Sequence, residues 1–392
     1  LDFFKLNFFI HKVKFYIYKN YVFKIYFNNK NNLCKYSLMI INNYTILASA
    51  SIRDTVKKMD KFNLNSIFIK NNLKKVQGVF TMGDFRRAIF FGLDIDSKIT
   101  SVLNKNFVFL NEKFSRDTVK KIFFNSDLIL DIPILDKNLK LLKIIKRKDF
   151  FPNKKNTKKK NLENFPLVIM AGGKGTRLDP FTRILPKSLI PFGNNPIIRV
   201  IMDYFKKFGL KKFYISVNDK NSMIKAYFHD LKHLYKIKYI EEKKPLGTAG
   251  SLRLLKNKFK KTFFVINSDI LVYTSYPSII KFHKDNNYDI TLVSSVRNYK
   301  IPYGVCNFDK SGKLISIKEK PHYDFFVNTG LYVFEPKVLK LIPNNIKFDM
   351  NELLNKARND SMKIGVFPVS ENSWIDIGQW SEYKKNINKF DL

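Results

Sequence analysis

Short apolar runs punctuate the second half of the chain. Leu167–Met170 and Phe263–Ile266 carry no charge and read as buried strands. From Phe165 to the C-terminus strand-like and helix-like segments alternate, which predicts an α/β domain on a largely parallel sheet. Ligands on such sheets gather at the carboxyl ends of strands. The residues that follow each apolar run are therefore the place to look for chemistry.

Between Tyr44 and Phe150 the pattern repeats instead. Arg53-Asp54-Thr55-Val56-Lys57-Lys58 recurs as Arg116-Asp117-Thr118-Val119-Lys120-Lys121, and Asp84-Phe85 is answered by Asp149-Phe150. Each unit predicts a helix, a strand (Ser66–Ile69; Ile132–Leu135), a turn, a second strand (Val76–Thr81; Leu141–Ile145) and the start of a final helix. Two α+β units, 44–100 and 101–151, thus precede the α/β domain at 165–392. Residues 152–164 are polar and lysine-rich without an apolar period, which predicts a linker. Residues 1–38 alternate aromatic and basic side chains with no clean period. They are expected to be a leader outside the folded protein, non-native sequence ahead of a start at Met39 or disordered chain, in preference to a membrane-surface segment.

Composition modifies this picture little. A length of 392 residues with 45% hydrophobic content suits two or three domains that each bury a core. A net charge of +38 would ordinarily suggest nucleic acid as a partner. Here the lysines are spread over surfaces expected to be solvated, with one dense run at Lys154–Lys160, and no recognisable nucleic-acid module interleaves them. The charge is read as compositional drift whose field favours anionic substrates. Cys34 and Cys306 offer neither a disulfide framework nor a metal cluster, which fits a reducing cytoplasm. Lysines break every apolar run well short of the ~18 residues a membrane span needs, so no membrane association is expected.

The richest stretch runs from Met170 to Pro191, M-A-G-G-K-G-T-R-L-D-P-F-T-R-I-L-P-K-S-L-I-P. Gly172, Gly173 and Gly175 leave a nearly bare backbone that can turn several N–H groups toward an anion. Lys174, Arg177 and Lys187 surround it with positive charge, and the Arg177 fork suits phosphate oxygens. A Walker A loop would need Gly-Lys-Ser/Thr where Gly175 is followed by Thr176 and Arg177, and a dinucleotide fingerprint would need glycine at Leu178. Taken whole, G-G-x-G-T-R-L followed by P-K-x-L-x-P resembles the signature of the sugar-1-phosphate nucleotidylyltransferases. That resemblance implies a Rossmann-like, GT-A-like fold and transfer of a nucleotidyl group from a nucleoside triphosphate to a sugar 1-phosphate. It also implies phosphate and nucleotide contacts from Ala171, Gly172, Gly173, Gly175 and Thr176, with Arg177, Lys187 and Lys320 as catalytic cations.

Further motifs follow in the family's order. Glu241 to Gly250, E-E-K-K-P-L-G-T-A-G, precedes an apolar stretch expected to be helical. Glu242 could accept both N–H donors on the edge of guanine, where uracil and thymine offer one. With Gly247 and Thr248 it resembles the guanylyl-transferring members, so GTP is the favoured donor. Asp269, after the Phe263–Ile266 run, and Asp376, in W-I-D-I-G, are flanked by apolar residues, and buried carboxylates invite a shared cation. The family's corresponding aspartates hold the metal, which implies Mg²⁺ here. Gly304, Glu319, Lys320, Asn328 and Thr329 resemble the sugar-phosphate pocket. Ser188, where the family usually has proline, and Ser268, where it usually has glycine, depart from the pattern.

The repeats of the first half resemble a pair of cystathionine-β-synthase-type (CBS) repeats, which bind adenine nucleotides. Gly78, Thr81 and Asp84 match that family's G-x-x-[ST]-x-x-D, whereas Lys143 and Lys146 replace the glycine and the hydroxyl in the second repeat. At most one ligand site is expected. Chains of this architecture resemble enzymes that make activated sugars for surface glycans, including glucosamine-1-phosphate guanylyltransferases of nonulosonic-acid pathways, and a homo-oligomer is expected.

Overall fold

The computed structural model describes residues 41–384 apart from 127–128, 151–161, 174, 176–177, 180, 219–220 and 379–381. The leader, most of the linker, and Lys174, Thr176 and Arg177 of the glycine loop lie outside the described residues.

The two N-terminal units share one topology. In the first, β1 (Thr45–Leu47), α1 (Ile52–Lys61), β2 (Ser66–Lys70), β3 (Val76–Thr81) and α2 (Met82–Phe90) form a three-stranded sheet of order β1-β2-β3 flanked by helices. In the second, β4 (Leu110–Asn111), α3 (Arg116–Asn125), β5 (Asp131–Leu135), β6 (Leu141–Lys146) and α4 (Arg147–Phe150) repeat it as β4-β5-β6. Each sheet pairs its first two strands in parallel and its last two antiparallel. The units meet where the Ser66 hydroxyl donates to Asp131 (2.8 Å) and the Val76 amide to the Leu139 carbonyl (2.8 Å).

The larger domain is a seven-stranded sheet between two helical layers. Its strands are β7 (Leu167–Met170), β10 (Lys212–Val217), β11 (Lys236–Glu241), β12 (Phe263–Asn267), β14 (Ile290–Lys300), β17 (His322–Phe334) and β18 (Ile364–Val369), in the order β11-β10-β7-β12-β17-β14-β18. Only β17 runs against the rest. Small paired strands decorate the sheet: β8 (Pro191–Phe192) with β9 (Asn195–Pro196), β13 (Ile270–Val272) with β19 (Trp374–Asp376), and β15 (Val305–Phe308) with β16 (Leu314–Lys318).

The apolar runs become strands because both of their faces find cover. Leu167 and Ile169 point into a core shared with Ile197, Ile201, Met202 and Phe205 of α5 (Ile197–Lys206). Val168, between them, points to the opposite core with Leu252, Leu339 and Leu353, the last on α6 (Met350–Asn359). Each fully buried aliphatic side chain of this kind contributes about 1.5–3 kcal/mol. The central strand β7 is thereby immobilised, and the loop that leaves it starts from a fixed point.

The N-terminal units rest on the far edge of this sheet. The Arg86 guanidinium lies 4.8 Å above the Phe367 ring of β18, Arg53 ion-pairs with Asp324 of β17, and Val296 of β14 joins the N-terminal core. A cleft of about 1500 Å³ remains between the two parts.

Candidate active site

Strands β7, β10, β11 and β12 are parallel, so their carboxyl ends open on one edge. The pairing continues past β7: the Ala171 amide donates to Ser216 (3.0 Å) and the Ser268 amide to Met170 (3.2 Å). The glycine loop leaves from between them. The Gly172 carbonyl accepts from the Asn218 side chain, and a Cβ on Gly172 would lie 2.6 Å from a Glu242 carboxylate oxygen. Any side chain there would have to push the Glu242 carboxylate aside. A Cβ on Gly173 would meet nothing within 4 Å, so this position faces open space. Gly175 has φ +72° and packs on Thr182 and on Lys187 Cβ. Its carbonyl accepts from the Thr182 hydroxyl (2.9 Å) and the Leu178 amide (3.0 Å). The loop is pinned at Gly172 and at Gly175, and Gly173 between them leaves its backbone open, as a cradle for phosphate oxygens requires.

Lys187 opens a 3-10 turn, Lys187–Leu189, and its ammonium ion-pairs with Asp269 two residues beyond β12. Asp376 comes from the other side. It ends β19, which is antiparallel to β13 with Ile270 opposite Asp376, and the Ile377 amide donates to the Asp269 carbonyl (3.0 Å). Gly378 shows how tightly these groups meet. A Cβ there would lie 2.7 Å from Asp269 Oδ2, 2.8 Å from Asp376 Oδ1 and 2.9 Å from Lys187 Nζ. Two carboxylates and an ammonium therefore surround a single point, where like charges so close require positive charge between them.

This donor set fits Mg²⁺, a hard cation that takes one or two carboxylates and completes its shell with water and substrate phosphates. Among the described residues no group of three or more His, Cys, Asp or Glu side chains forms a protein-only cage, as that mode of binding requires none.

Glu242 is buried below the loop. The Ser216 hydroxyl donates to one of its oxygens and the Leu246 amide to the other (3.1 Å), which leaves further lone pairs on both. Thr248 is engaged within the protein. Its amide and hydroxyl donate to Asp349 (2.9 and 3.2 Å), and its oxygen accepts from the Met350 amide (2.8 Å), so it clamps the start of α6. Gly247, at φ +79°, is packed between Asp349 and the Phe348 carbonyl. The helix expected after them is one α-turn, Gly247–Gly250, continued by a 3-10 turn, Ser251–Leu255. The Ala249 and Gly250 amides also donate to the Phe348 carbonyl (3.0 Å each), which ties this turn to the segment before α6.

The expected sugar pocket is only partly gathered. Gly330, at φ +84°, packs on Asn267, which sets Asn328 and Thr329 beside the end of β12. Asn328 donates to the Tyr332 hydroxyl (2.7 Å) and accepts from the Gly330 amide (2.9 Å). Thr329 is buried with its hydroxyl on the Val293 carbonyl (2.8 Å). Gly304, Glu319 and Lys320 cluster on the β15–β16 ribbon, where the Lys320 amide donates to Tyr303 (3.2 Å) and its ammonium sits 3.4 Å from Glu319. Among the described residues no hydrogen bond or ion pair joins them to Lys187 or Asp269. Their side chains are 57% (Lys320) and 69% (Glu319) exposed.

In the first N-terminal unit Thr81 and Asp84 form a capping box on α2, Arg87 pairs with Asp84, and Gly78 lets residues 103–104 pack against β3. Ser216, Asn218 and Asp349 were not foreseen. Asn218 follows the apolar end of β10 as Asn267 ends β12, a signal present in the sequence, whereas Asp349 reaches Thr248 across 101 residues.

A family model described as Nucleotidyl transferase matches residues 167–391, and one described as CBS domain matches residues 35–90. A mannose-1-phosphate guanyltransferase of Yarrowia lipolytica is 32% identical over 230 residues, 55% of this chain and 61% of that protein. A UTP--glucose-1-phosphate uridylyltransferase of Synechocystis is 28% identical over 240 residues, 56% of this chain and 62% of that protein. The chain thus spans less than two thirds of the length of the curated relatives it matches. The crystal structure of HddC from Yersinia pseudotuberculosis complexed with GMP-PN aligns at 25% identity and a TM-score of 0.46, over 58% of this chain and 100% of that one. The Nucleotidyl transferase match takes in more than half of the chain, including the glycine loop, Lys187, Asp269 and Asp376, so the chain belongs to the nucleotidyl transferase family and carries a CBS domain on its N-terminal side.

Proposed function

We propose that this chain joins a nucleoside triphosphate to a sugar 1-phosphate, releasing pyrophosphate. The observation that carries this reading is the meeting of Lys187, Asp269 and Asp376 about Gly378, beside a pinned glycine loop. An oxygen of the sugar 1-phosphate attacks the α-phosphorus in line, and the bond to the bridging oxygen of the β-phosphate breaks. The nucleophile is already anionic, so no general base is needed. Catalysis is positioning and charge neutralisation. The loop amides and Arg177 would hold the leaving pyrophosphate, and Lys187 and Lys320 would draw the reacting phosphates together. Asp269 and Asp376 would hold Mg²⁺, which when bound neutralises phosphate charge.

GTP is the favoured donor. Glu242 retains lone pairs beside the loop, and the guanylyltransferase of Yarrowia lipolytica among the relatives adds support. The acceptor proposed is glucosamine 1-phosphate for a surface-glycan precursor, with mannose or heptose 1-phosphate next. The mannose-1-phosphate relatives favour the former of these two, and the Synechocystis relative keeps UTP in the comparison. The reading further includes a homo-oligomer, a cytoplasmic location and an adenine nucleotide at Gly78, Thr81 and Asp84 as a regulator.

The test is pyrophosphate release from GTP, UTP, CTP, dTTP and ATP, each with a panel of sugar 1-phosphates and Mg²⁺. Release with GTP and one sugar is expected. Silence across the panel from folded protein that still binds nucleotide would replace transfer with nucleotide sensing.

A further inference from the structure

Both candidate metal-holding aspartates belong to one short ribbon. Asp269 immediately precedes β13 and Asp376 ends β19, and the two strands pair over three residues: Ile270 with Asp376, Leu271 with Ile375, Val272 with Trp374. Hydrogen bonds close the ribbon at each end, Ile377 to Asp269 (3.0 Å) at the site and Tyr273 to Ser373 (2.7 Å) at the other. That other end is not in the sheet. Tyr273, Thr274, Ser373 and Trp374 line the cleft between the larger domain and the N-terminal units.

A chain of contacts crosses the cleft to this end. Asp60, in the last turn of α1, lies against the Ser370 hydroxyl and the Glu371 amide at the start of the 3-10 turn Glu371–Ser373, which runs straight into β19. Burial there, with the Glu371 carboxylate nearby, pushes the Asp60 carboxyl up to about 6. Glu371 in turn pairs with Arg297 (2.9 Å), and the Arg297 guanidinium covers the Trp374 ring at 4.7 Å. The Trp374 indole N–H is buried and makes no hydrogen bond among the described residues, so packing and Arg297 alone hold the ring.

We propose that the N-terminal units set the spacing of the Asp269–Asp376 pair through this ribbon, with Asp60, Arg297 and Trp374 as positioning residues. A movement of α1 shifts the Glu371–Ser373 turn, and the three-residue strand transmits the shift to Asp376 over roughly 10 Å. The inference rests on the proposed transfer reaction for its consequence but not for its test. It also gives the cleft a reason to affect the reaction whatever occupies it.

Hydrogen exchange on the full chain, read by mass spectrometry over 268–275 and 370–378, measures the ribbon without turnover. Asp60→Lys, which sets an ammonium beside the Glu371 carboxylate and draws it from Arg297, is expected to speed exchange in both segments at least tenfold, whereas Asp60→Asn stays as wild type. Pyrophosphate release should then show kcat down about tenfold in Asp60→Lys with KM for GTP unchanged. Should Asp60→Lys unfold the N-terminal units, Arg297→Gln poses the same question from the larger domain, with the same expected exchange. Exchange equal to wild type in a folded variant overturns the coupling. Failure of the transfer reading shows separately, as a wild type inactive with every substrate.

Discussion

Two regions of the larger domain are built to opposite specifications. Beside the carboxyl ends of the buried strands β7 and β12, three charged side chains from a 3-10 turn, the approach to β13 and the end of β19 are drawn to one point that a Cβ on Gly378 would fill. On the β15–β16 ribbon Glu319 and Lys320 touch mainly each other, and Phe308, Leu314, Ile315 and Ile317 lie exposed beside them. The first arrangement is preorganised, which is what stabilising charge on transferring phosphates demands. The second is open to solvent.

The comparison breaks most visibly at the buried corner. Asp269→Asn should reduce pyrophosphate release by about a thousandfold, the scale of losing one preorganised charged partner, while circular dichroism stays native. A rate within tenfold of wild type would remove Asp269 from the reaction. Next comes Gly378→Ala, whose new methyl must displace Asp269, Asp376 or Lys187, all within 3 Å of it. A loss of roughly a hundredfold is expected, since displacements near 1 Å cost that much. Steady-state kinetics with unchanged rates would mean that the corner is looser than drawn. On the ribbon, Lys320→Ala should raise KM for the sugar 1-phosphate about tenfold and leave KM for the nucleotide alone. An equal rise in both would move Lys320 out of the sugar pocket.

The smallest effect concerns scaffold. Ser188 is buried with its hydroxyl unpaired among the described residues, and its amide makes no backbone hydrogen bond there. Ser188→Pro should therefore raise stability by about 1 kcal/mol, from a stiffer unfolded chain and the loss of a buried orphan hydroxyl. Thermal unfolding would show a higher Tm; a lower one would mean that the turn cannot take the ring.

These differences also mark what a sequence reveals. Strand ends were legible, because apolar runs stop where the sheet stops, and Gly172 and Asp269 each follow such a run. The Thr248–Asp349 contact was not legible, because the two residues lie far apart along the chain and nothing local announces the pairing. Glu242 showed its charge but not its burial, since Ser216 and Gly172 meet it only after β10, β7 and β11 align. Gly378 looked like the tail of a motif. Its necessity follows from three side chains that the fold brings together from separate stretches.

The measurement that bears most directly on the account is a double-mutant cycle of Asp269→Asn and Asp376→Asn, read as pyrophosphate release at saturating substrates. If the two carboxylates act as one unit, the double variant is no slower than the worse single variant, as for groups that lose function together. Losses that multiply would contradict the shared site and leave two aspartates with separate tasks.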